Sequence, residues 1–359
     1  MSRCRSYWGS CKSNYNNKNT DQVMAMPRFA LQDKKVISSE GLISAIAELA
    51  LARGADLHKL LRGTGIFSDD LLDPHSRFSH HQLMRLLAQY QGQFPHPDAG
   101  FLLGQQLLNE LGTVGQALLS APTVGDSLRM LQRLYQHIAP LVHVRYHLYQ
   151  RQVHVFITPT LAPESKATGL LMQAYSSAFY ALLKRLSQGY AHCHFDFACK
   201  RPRHMYEFEH NLGTRLRFAQ PVYKWSFAAS MLRCTNDNAS MLRWQRLQSQ
   251  PRCESPPYFI DALCQLLSRQ PHLSLAVLAQ HMAMSPATFK RKLKEHGWRF
   301  SQLQQQQQTL RAVYLLSIRD KGNDYVANRL AFYDTPNFRR AFKRWTGLTP
   351  SELKESMSL

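Results

Sequence analysis

Apolar residues in the first part of the chain recur with the spacing of amphipathic helices. From Leu42 to Ala50 they return every three or four positions, which places them on one helical face. Ser38 and Ser39 precede this segment and are suitable N-cap residues. The same spacing predicts three further helices, near His80–Gln91, Asp98–Glu110 and Thr123–Ala139.

The spacing then changes to alternation, which is typical of strands with one buried face. Val142–Leu148 and Val153–Ile157 alternate in this way and predict two strands joined near Gln150–Arg151. A long amphipathic helix and three short strands are predicted after them, over Glu164–Gln188, His192–Ala198, Leu216–Phe218 and Tyr223–Phe227. The predicted fold class up to residue 240 is therefore α+β, with helices around a small, mostly antiparallel sheet.

A proline-rich stretch separates this region from an all-helical one. Met241–Gln250 has a helical pattern, but three prolines follow it closely, and proline breaks helices and stiffens linkers. We therefore predict a linker over residues 241–257 and an all-α domain over residues 258–359. Residues 1–35 are polar and basic, and they are predicted to form a flexible tail because they can bury little apolar surface.

The all-α domain begins with the pattern of a helix, a tight turn and a second helix. Residues 275–282 place apolar side chains on one face of a short helix that Ser274 can cap. Ser285 followed by Pro286 predicts the start of the second helix, because proline suits the first helical position. Gly297 predicts its end, since glycine commonly terminates helices.

The second helix of this unit separates apolar from basic residues. Phe289 and Leu293 lie four residues apart and face inward, and the opposite face carries Ala287, Lys290, Arg291 and Lys294. Such a helix can enter a major groove, where cations meet phosphates and an arginine pairs with a guanine edge. A solvated basic face would give the same charge pattern. The agreement of cap, turn and glycine stop favours DNA binding.

A second copy of the same pattern follows. Asp324–Leu330 predicts a short helix, and Asp334 or Thr335 caps the next helix, which Pro336 opens. A spacer helix from about Phe300 to Ile318 separates the two units, and at 1.5 Å per residue it is roughly 28 Å long. With its turns, it can hold the second helices of the two units, here called the reading helices, about 34 Å apart. This distance is one turn of DNA, so one chain can contact successive major grooves.

Composition agrees with a polyanionic partner. The 359 residues carry a formal charge of +20, and residues 257–359 contribute 15 Lys/Arg against 7 Asp/Glu, a net +8. The run Gln304–Gln308 is interpreted as an exposed face of the spacer helix rather than as disorder. An odd number of cysteines without a Cys-x-x-Cys pair indicates reduced thiols.

Other chemistry has weaker support. The chain has no Gly-x-Ser-x-Gly, no P-loop and no His-Glu-x-x-His. The best rival is a metal site formed by His192, Cys193, His194, Cys199 and His204. Strand alternation would turn Cys193 inward and the histidines outward, so we predict no metal site, catalytic site or cofactor. An aromatic stripe is interpreted as core rather than as a ligand pocket, and it comprises Tyr175, Phe179 and Tyr180.

Four stretches resemble a known family. LAQHMAMSPATFKRKLKEHG (Leu278–Gly297) and FRRAFKRWTGLTP (Phe338–Pro350) resemble the DNA-binding domain of AraC/XylS-type transcription regulators. LGTVGQALLSAPTVGDSLRML (Leu111–Leu131) and LGTRLRFAQPVYKWSF (Leu212–Phe227) are similar to the arabinose-binding-type sensor domain of the subgroup that contains the ornithine-utilisation regulator. The helices predicted before residue 140 argue against the jelly-roll sensor of other subgroups.

The resemblance implies a cytoplasmic, sequence-specific regulator, typically an activator, rather than an enzyme. Residues 36–240 would sense a small-molecule effector and support a homodimer, and residues 258–359 would bind double-stranded promoter DNA and cooperate with RNA polymerase. Matched position by position, the implied DNA-binding residues are Ala287, Thr288, Lys290, Arg291, Lys294, Thr335, Pro336, Asn337, Arg340 and Lys343.

Three departures from the family pattern carry expectations of their own. Ala331 stands where glycine is usual and predicts a strained second turn. Asn323 replaces an apolar residue and predicts a loosely packed leading helix, while Gln308 replaces an arginine and predicts a missing salt bridge or phosphate contact. The alternative function is a ligand- or metal-binding protein, or an enzyme, whose basic surface binds nucleic acid without sequence preference.

Overall fold

The computed structural model describes residues 29–248 and 256–358. The strands in these ranges are β1 Ile37–Ser38, β2 Arg77–Phe78, β3 Val142–Tyr149, β4 Gln152–Pro159, β5 Cys193–Asp196, β6 Leu216–Arg217 and β7 Tyr223–Ala228. The helices up to residue 248 are α1 Leu42–Ala52, α2 Leu57–Leu61, α3 Ser68–Leu72, α4 His80–Gln93, α5 Ala99–Glu110, α6 Gly112–Ser120, α7 Val124–Ile138, α8 Ala167–Leu186, α9 Met205–Leu212, a 3-10 turn Ala229–Arg233 and α10 Met241–Gln248. The helices after residue 256 are α11 Phe259–Arg269, α12 Leu275–His281, α13 Pro286–Glu295, α14 Phe300–Val313, a π turn Tyr314–Ile318, α15 Asn323–Arg329, α16 Thr335–Thr346 and α17 Pro350–Ser358.

Five strands form the main sheet, in the order β3-β4-β7-β5-β6. All neighbours pair antiparallel except β5 and β6. The β3–β4 hairpin turns through Gln150 and Arg151, whose φ angles of 45° and 62° are those of a two-residue turn that matches strand twist. The predicted α+β fold class and the predicted hairpin are confirmed.

Helix α8 covers one face of this sheet. Trp225 of β7 stacks on Phe179 with ring centroids 4.5 Å apart, and its indole N–H donates to the Ser176 hydroxyl at 3.1 Å. Helix α5 packs on the other side of α8 at very close range. A Cβ added at Gly104 of α5 would overlap the carbonyl oxygen of Ala174, so glycine is needed at this helix crossing.

No helix within the described ranges is long and apolar enough to cross a membrane.

The opposite face of the sheet shares a core with the last helices. Alternate residues of β4 point to different faces, and Val155 belongs to the core under α8 while Phe156 belongs to a second apolar cluster. We call residues 36–248 the sheet region and residues 256–358 the C-terminal part. The second cluster contains Val222 of the sheet region together with Val313 and Phe338 of the C-terminal part. The second helix-turn-helix unit is therefore packed directly on the sheet.

Two local predictions near the N-terminus are wrong. Ser38 and Ser39 do not cap α1, because Ser38 pairs in β1 and the Ser39 hydroxyl donates to the carbonyl oxygen of Asp73. Phe29–Leu31, predicted to lie in the tail, pack on the C-terminal part, whereas Asp33, Lys34 and Lys35 are exposed. Ala30 is fully buried and exchanges backbone hydrogen bonds with Pro257 and Phe259. The rest of the predicted tail lies outside the described residues.

The interpretation of the glutamine run as an exposed face is also wrong. Gln307 is only 1% exposed, and Gln304 donates from its amide to the carbonyl oxygens of Pro271 and Leu273. Gln306 donates to Pro159 at 3.4 Å. The run lies within the spacer helix α14, and the Gln304 and Gln306 amides donate to backbone carbonyl oxygens of the segments packed against that helix. The spacer itself ends as a π turn rather than as a continuous α-helix.

Candidate nucleic-acid interface

The first helix-turn-helix unit holds α13 with its basic face outward. The Ser285 hydroxyl accepts a hydrogen bond from the backbone N–H of Thr288 at 3.2 Å, and Pro286 occupies the first helical position. Phe289 and Leu293 are 0% and 1% exposed. The predicted cap, helix start and buried stripe are confirmed, and they fix which side of α13 faces solvent.

The outer face of α13 carries four of the predicted contact residues, all exposed: Ala287, Lys290, Arg291 and Lys294. Arg291 donates to Glu295 at 3.0 Å, and Lys292 donates to the other carboxylate oxygen at 2.9 Å. The hydrogen bond from Lys292 and the charge of Arg291 lower the pKa of Glu295 below its ordinary value. Exposed pairs of this kind contribute little stability, so the Arg291 guanidinium is available to a stronger anionic or base-edge partner.

The second unit repeats this construction on α15 and α16. Asp334 caps α16 by accepting from the backbone N–H of Asn337 at 2.6 Å, so Asp334 is the cap and Thr335 is not. The Thr335 hydroxyl instead donates to Asp324 at 2.5 Å, which ties α16 to the start of α15. Gly347 ends the helix in the left-handed conformation, as predicted.

The exposed face of α16 is more basic than that of α13. Its exposed residues are Pro336, Arg339, Arg340, Lys343 and Arg344. The Arg340 guanidinium donates to the side-chain oxygen of Asn337 at 2.8 Å, so these two predicted contact residues lie side by side near the helix start. An arginine oriented by a neighbouring amide loses less freedom when it pairs with a base edge.

Both turns place an alanine in the left-handed region. Ala283 has φ 51° and Ala331 has φ 57°. This conformation costs an L-residue roughly 1–2 kcal/mol, so the strain expected at Ala331 is present and Ala283 shares it. Next to Ala331, the Tyr333 side chain is 96% exposed at the start of the basic face. Tyr333 is not among the predicted contact residues, although a large aromatic residue in a turn between two helices is a sequence feature that could have identified it.

A buried carboxylate joins the first unit to the sheet region. Asp261 of α11 is 4% exposed and lies 2.6 Å from the Nδ1 atom of His143 on β3. The Gln136 amide donates to it at 2.6 Å and the Tyr135 hydroxyl at 3.1 Å. Gln265, one turn further along α11, donates to it at 3.1 Å. Three of the four partners come from outside the all-α part, so the carboxylate links the two parts.

Further contacts along the spacer complete this junction. The Trp298 indole donates to the carbonyl oxygen of Thr160 at 3.0 Å. At the far end of the spacer, the Tyr314 ring lies 4.2 Å from the His147 imidazole of β3. Arg217 of β6 donates to the Ser356 carbonyl oxygen in α17 at 2.7 Å. Contacts with the sheet region thus extend from α11 to the last helix.

The rival metal site is not assembled. Cys193 is buried under the sheet while His192 and His194 are exposed on the other side. In the described ranges, no group of three or more His, Cys, Asp or Glu side chains could hold a metal ion. Tyr175 and Phe179 are buried around a small apolar cavity of about 50 Å³ between α7, α8 and the sheet. Such a volume is below the range of ligand pockets, about 300–1,000 Å³.

Comparison with known proteins gives separate family matches for the sheet region and for the C-terminal part. Residues 54–236 match the family described as "Arabinose-binding domain of AraC transcription regulator, N-term", and residues 278–356 match "Helix-turn-helix domain". The ornithine utilization regulator of Pseudomonas aeruginosa is 24% identical over 342 residues, which is 91% of this chain and 98% of that protein. The transcriptional regulator VqsM of the same species is 22% identical over 277 residues, which is 69% of this chain and 81% of the length of VqsM. The crystal structure of the regulator CdpR, also from Pseudomonas aeruginosa, has 23% identity and a TM-score of 0.39, and it covers 75% of this chain and 90% of that one.

Proposed function

The chain belongs to the AraC family of transcription regulators, and from this premise we propose that it regulates promoters by reading DNA with α13 and α16. A small-molecule effector bound by residues 36–240 would set the strength of that binding. The observation that supports this most directly is the repeated construction of two capped helices with basic, exposed outer faces.

The proposed base contacts are the residues nearest the start of each reading helix. Arg291 in α13 and Arg340 in α16 are suited to guanine edges, and Asn337 to adenine, because their side chains match those donor and acceptor patterns. Ala287 and Pro336 would make apolar contact with thymine methyl groups. Lys290 and Thr335 complete the proposed base contacts. The remaining predicted residues would position the helices on the DNA backbone, and these are Thr288, Lys294 and Lys343.

Three further assignments complete the proposal. Residues 36–240 form the effector domain, which also mediates a homodimer, and residues 258–359 form the DNA-binding domain. The linker is shorter than the predicted residues 241–257, because α10 packs on the effector domain with Trp244 buried in its core. RNA polymerase is the partner through which promoter binding changes transcription. The chain acts in the cytoplasm, where bacterial promoter DNA is accessible.

The proposal is tested by selecting bound DNA from a random pool and measuring affinity for the selected site over a range of salt. We expect Arg340→Ala to weaken the selected site by about 1–3 kcal/mol and to relax one base position. Lys343→Ala should weaken selected and random DNA alike, with a smaller salt slope, because it removes a phosphate contact.

The matched control is Arg203→Ala, which removes the same charge from an exposed position in the sheet region. It should leave affinity for the selected site within about twofold, because it lies outside the reading helices. If the selection enriches no sequence and binding depends on salt alone, the chain binds nucleic acid without sequence preference and the proposal is rejected. Equal losses for Arg340→Ala on selected and random DNA would reject its base-reading role.

A further inference from the structure

A cleft of about 410 Å³ opens between the sheet region and the spacer helix. Its volume lies within the range of small-molecule sites, which occur preferentially at junctions between domains. One wall is formed by the end of β4, the segment after it, and Tyr223 of β7. The other wall is formed by Trp298, by Gln302 and Gln306 of α14, and by Trp345 of α16.

The cleft is uncharged although the protein carries a charge of +20. Among the described residues that line it, none is Lys, Arg, His, Asp or Glu. Transfer of an ion into such a lining is costly because no opposite charge compensates its lost hydration. The lining therefore selects against charged molecules, including phosphates and free carboxylates.

The lining offers flat apolar surfaces and hydrogen-bonding groups. Two tryptophans and a tyrosine supply aromatic surfaces. The side-chain oxygens of Gln306 and Thr168 are buried, and neither has a hydrogen-bonding partner in the part of the chain that the structure describes. Buried polar atoms normally have partners, so a donor from a bound molecule would satisfy the Gln306 carbonyl oxygen.

The position of the cleft connects it to both reading helices. Trp298 follows α13 directly after Gly297, and a Cβ added at Gly297 would lie 2.7 Å from the Ala162 Cβ on the opposite wall. Trp345 lies in the last turn of α16. A molecule between these walls would contact the C-terminal ends of both helices and the sheet region at once.

We propose that this cleft binds an uncharged, flat, apolar small molecule that carries a hydrogen-bond donor, and that its occupancy changes DNA affinity. The binding step depends on the cleft alone, whereas the effect on DNA rests on the proposed function. Because the ligand contacts both parts, it shifts DNA affinity by the ratio of its own affinities for the free and DNA-bound forms.

The site is tested with N-phenyl-1-naphthylamine, a neutral aromatic amine with one N–H donor, and with anilinonaphthalenesulfonate, the same ring system bearing a negative charge. We expect the neutral probe to bind the full chain saturably, one molecule per chain, with increased fluorescence. Ala198 is an exposed residue of the cleft lining, and Ala198→Trp should lower the probe's affinity at least roughly tenfold by filling the space.

Ala239→Trp is the matched control, since Ala239 is also an exposed alanine and lies outside the cleft. It should leave the probe's affinity unchanged. Gln306→Leu, which keeps the size but removes the amide, should weaken the probe roughly three- to tenfold through loss of one hydrogen bond. If Ala198→Trp fails to fold, the probe's affinity for Gln306→Leu tests the site instead. The sulfonated analogue, in contrast, should bind wild type and both cleft variants equally, because it does not enter the cleft.

Absence of probe binding to the wild type, or equal binding to the wild type and the cleft variants, overturns the site. DNA affinity is then measured with and without saturating probe. A change of at least roughly fivefold supports coupling, and a smaller change overturns it. Probe binding without any specific DNA binding rejects the proposed function but not the site; specific DNA binding without probe binding rejects only the site.

Discussion

Asp261 is a central residue of the junction between the sheet region and the C-terminal part. It is buried and accepts hydrogen bonds from Gln136, Tyr135 and Gln265 while it pairs with His143. Asp261→Ala leaves these partners unsatisfied, and we expect it to lower the free energy of unfolding by about 3–5 kcal/mol. Urea denaturation monitored by tryptophan fluorescence measures this loss.

Asp261→Asn separates shape from charge at the same position. It keeps a side-chain oxygen that can accept hydrogen bonds but loses the negative charge, so its loss should be smaller, about 1–3 kcal/mol. The control Asp69→Asn, at an exposed position in α3, should stay within about 0.5 kcal/mol of wild type. If Asp261→Ala also stayed within that margin, the carboxylate would have no structural importance.

Buried histidines make stability depend on pH. Burial lowers the pKa of His80 to about 3, with a further contribution from His296, and lowers that of His147 to about 3. Both residues titrate near 6.5 in an unfolded chain. Between pH 6.5 and 3 the unfolded state therefore binds more protons, and stability falls as pH decreases.

Each of these histidines contributes a slope of up to about 1.4 kcal/mol per pH unit within that window. We expect His147→Phe, which keeps an aromatic ring against Tyr314, to flatten the decline in unfolding free energy between pH 6.5 and 5. Urea denaturation at several pH values measures the slope. His75→Gln, at an exposed site, should leave it unchanged. An unchanged slope for His147→Phe would show that His147 binds protons equally in the folded and unfolded states, which contradicts its lowered pKa.

Among the elements, the crossing of α5 and α8 is the most demanding contact. Gly104 meets the backbone of Ala174, and an added Cβ would also lie 2.8 Å from the Cβ of Ser177. Gly104→Ala must push the two helices apart, so we expect a loss of roughly 1–3 kcal/mol despite the better helix propensity of alanine. Gly169→Ala is the control, since an added Cβ there meets nothing within 4 Å. A gain in stability for Gly104→Ala, measured by thermal unfolding, would contradict the close approach.

Elements with a strong local pattern were predictable, and those that depend on distant partners were not. The β3–β4 hairpin and the caps of α12 and α13 follow from nearby residues. Helices α2 and α3 span only five residues each, too short for a periodic signal. The glutamine run was misread because its amides bond to carbonyl oxygens of distant segments. The exposed basic faces of α13 and α16 were predictable because the starts of both helices are locally encoded, whereas the Asp261 junction joins residues more than 100 positions apart.

At the scale of the whole molecule, both reading helices are attached to one body. The first unit is held through Asp261 and Trp298, and the second through the apolar cluster that includes Phe156. The two units therefore cannot rotate independently without breaking buried contacts. A DNA site for this chain should consist of two boxes in fixed phase, about one helical turn apart.

Inserting about five base pairs between the two boxes turns the second box to the far side of the duplex. We expect affinity to fall at least roughly tenfold, because base contacts of about 1–3 kcal/mol each are lost from one unit. Electrophoretic mobility shifts on the selected site measure this change. The matched control replaces the bases between the boxes without changing their spacing, and it should keep affinity within about threefold. Retained affinity after the insertion would mean that the units move independently, which the buried Asp261 and Phe156 contacts oppose.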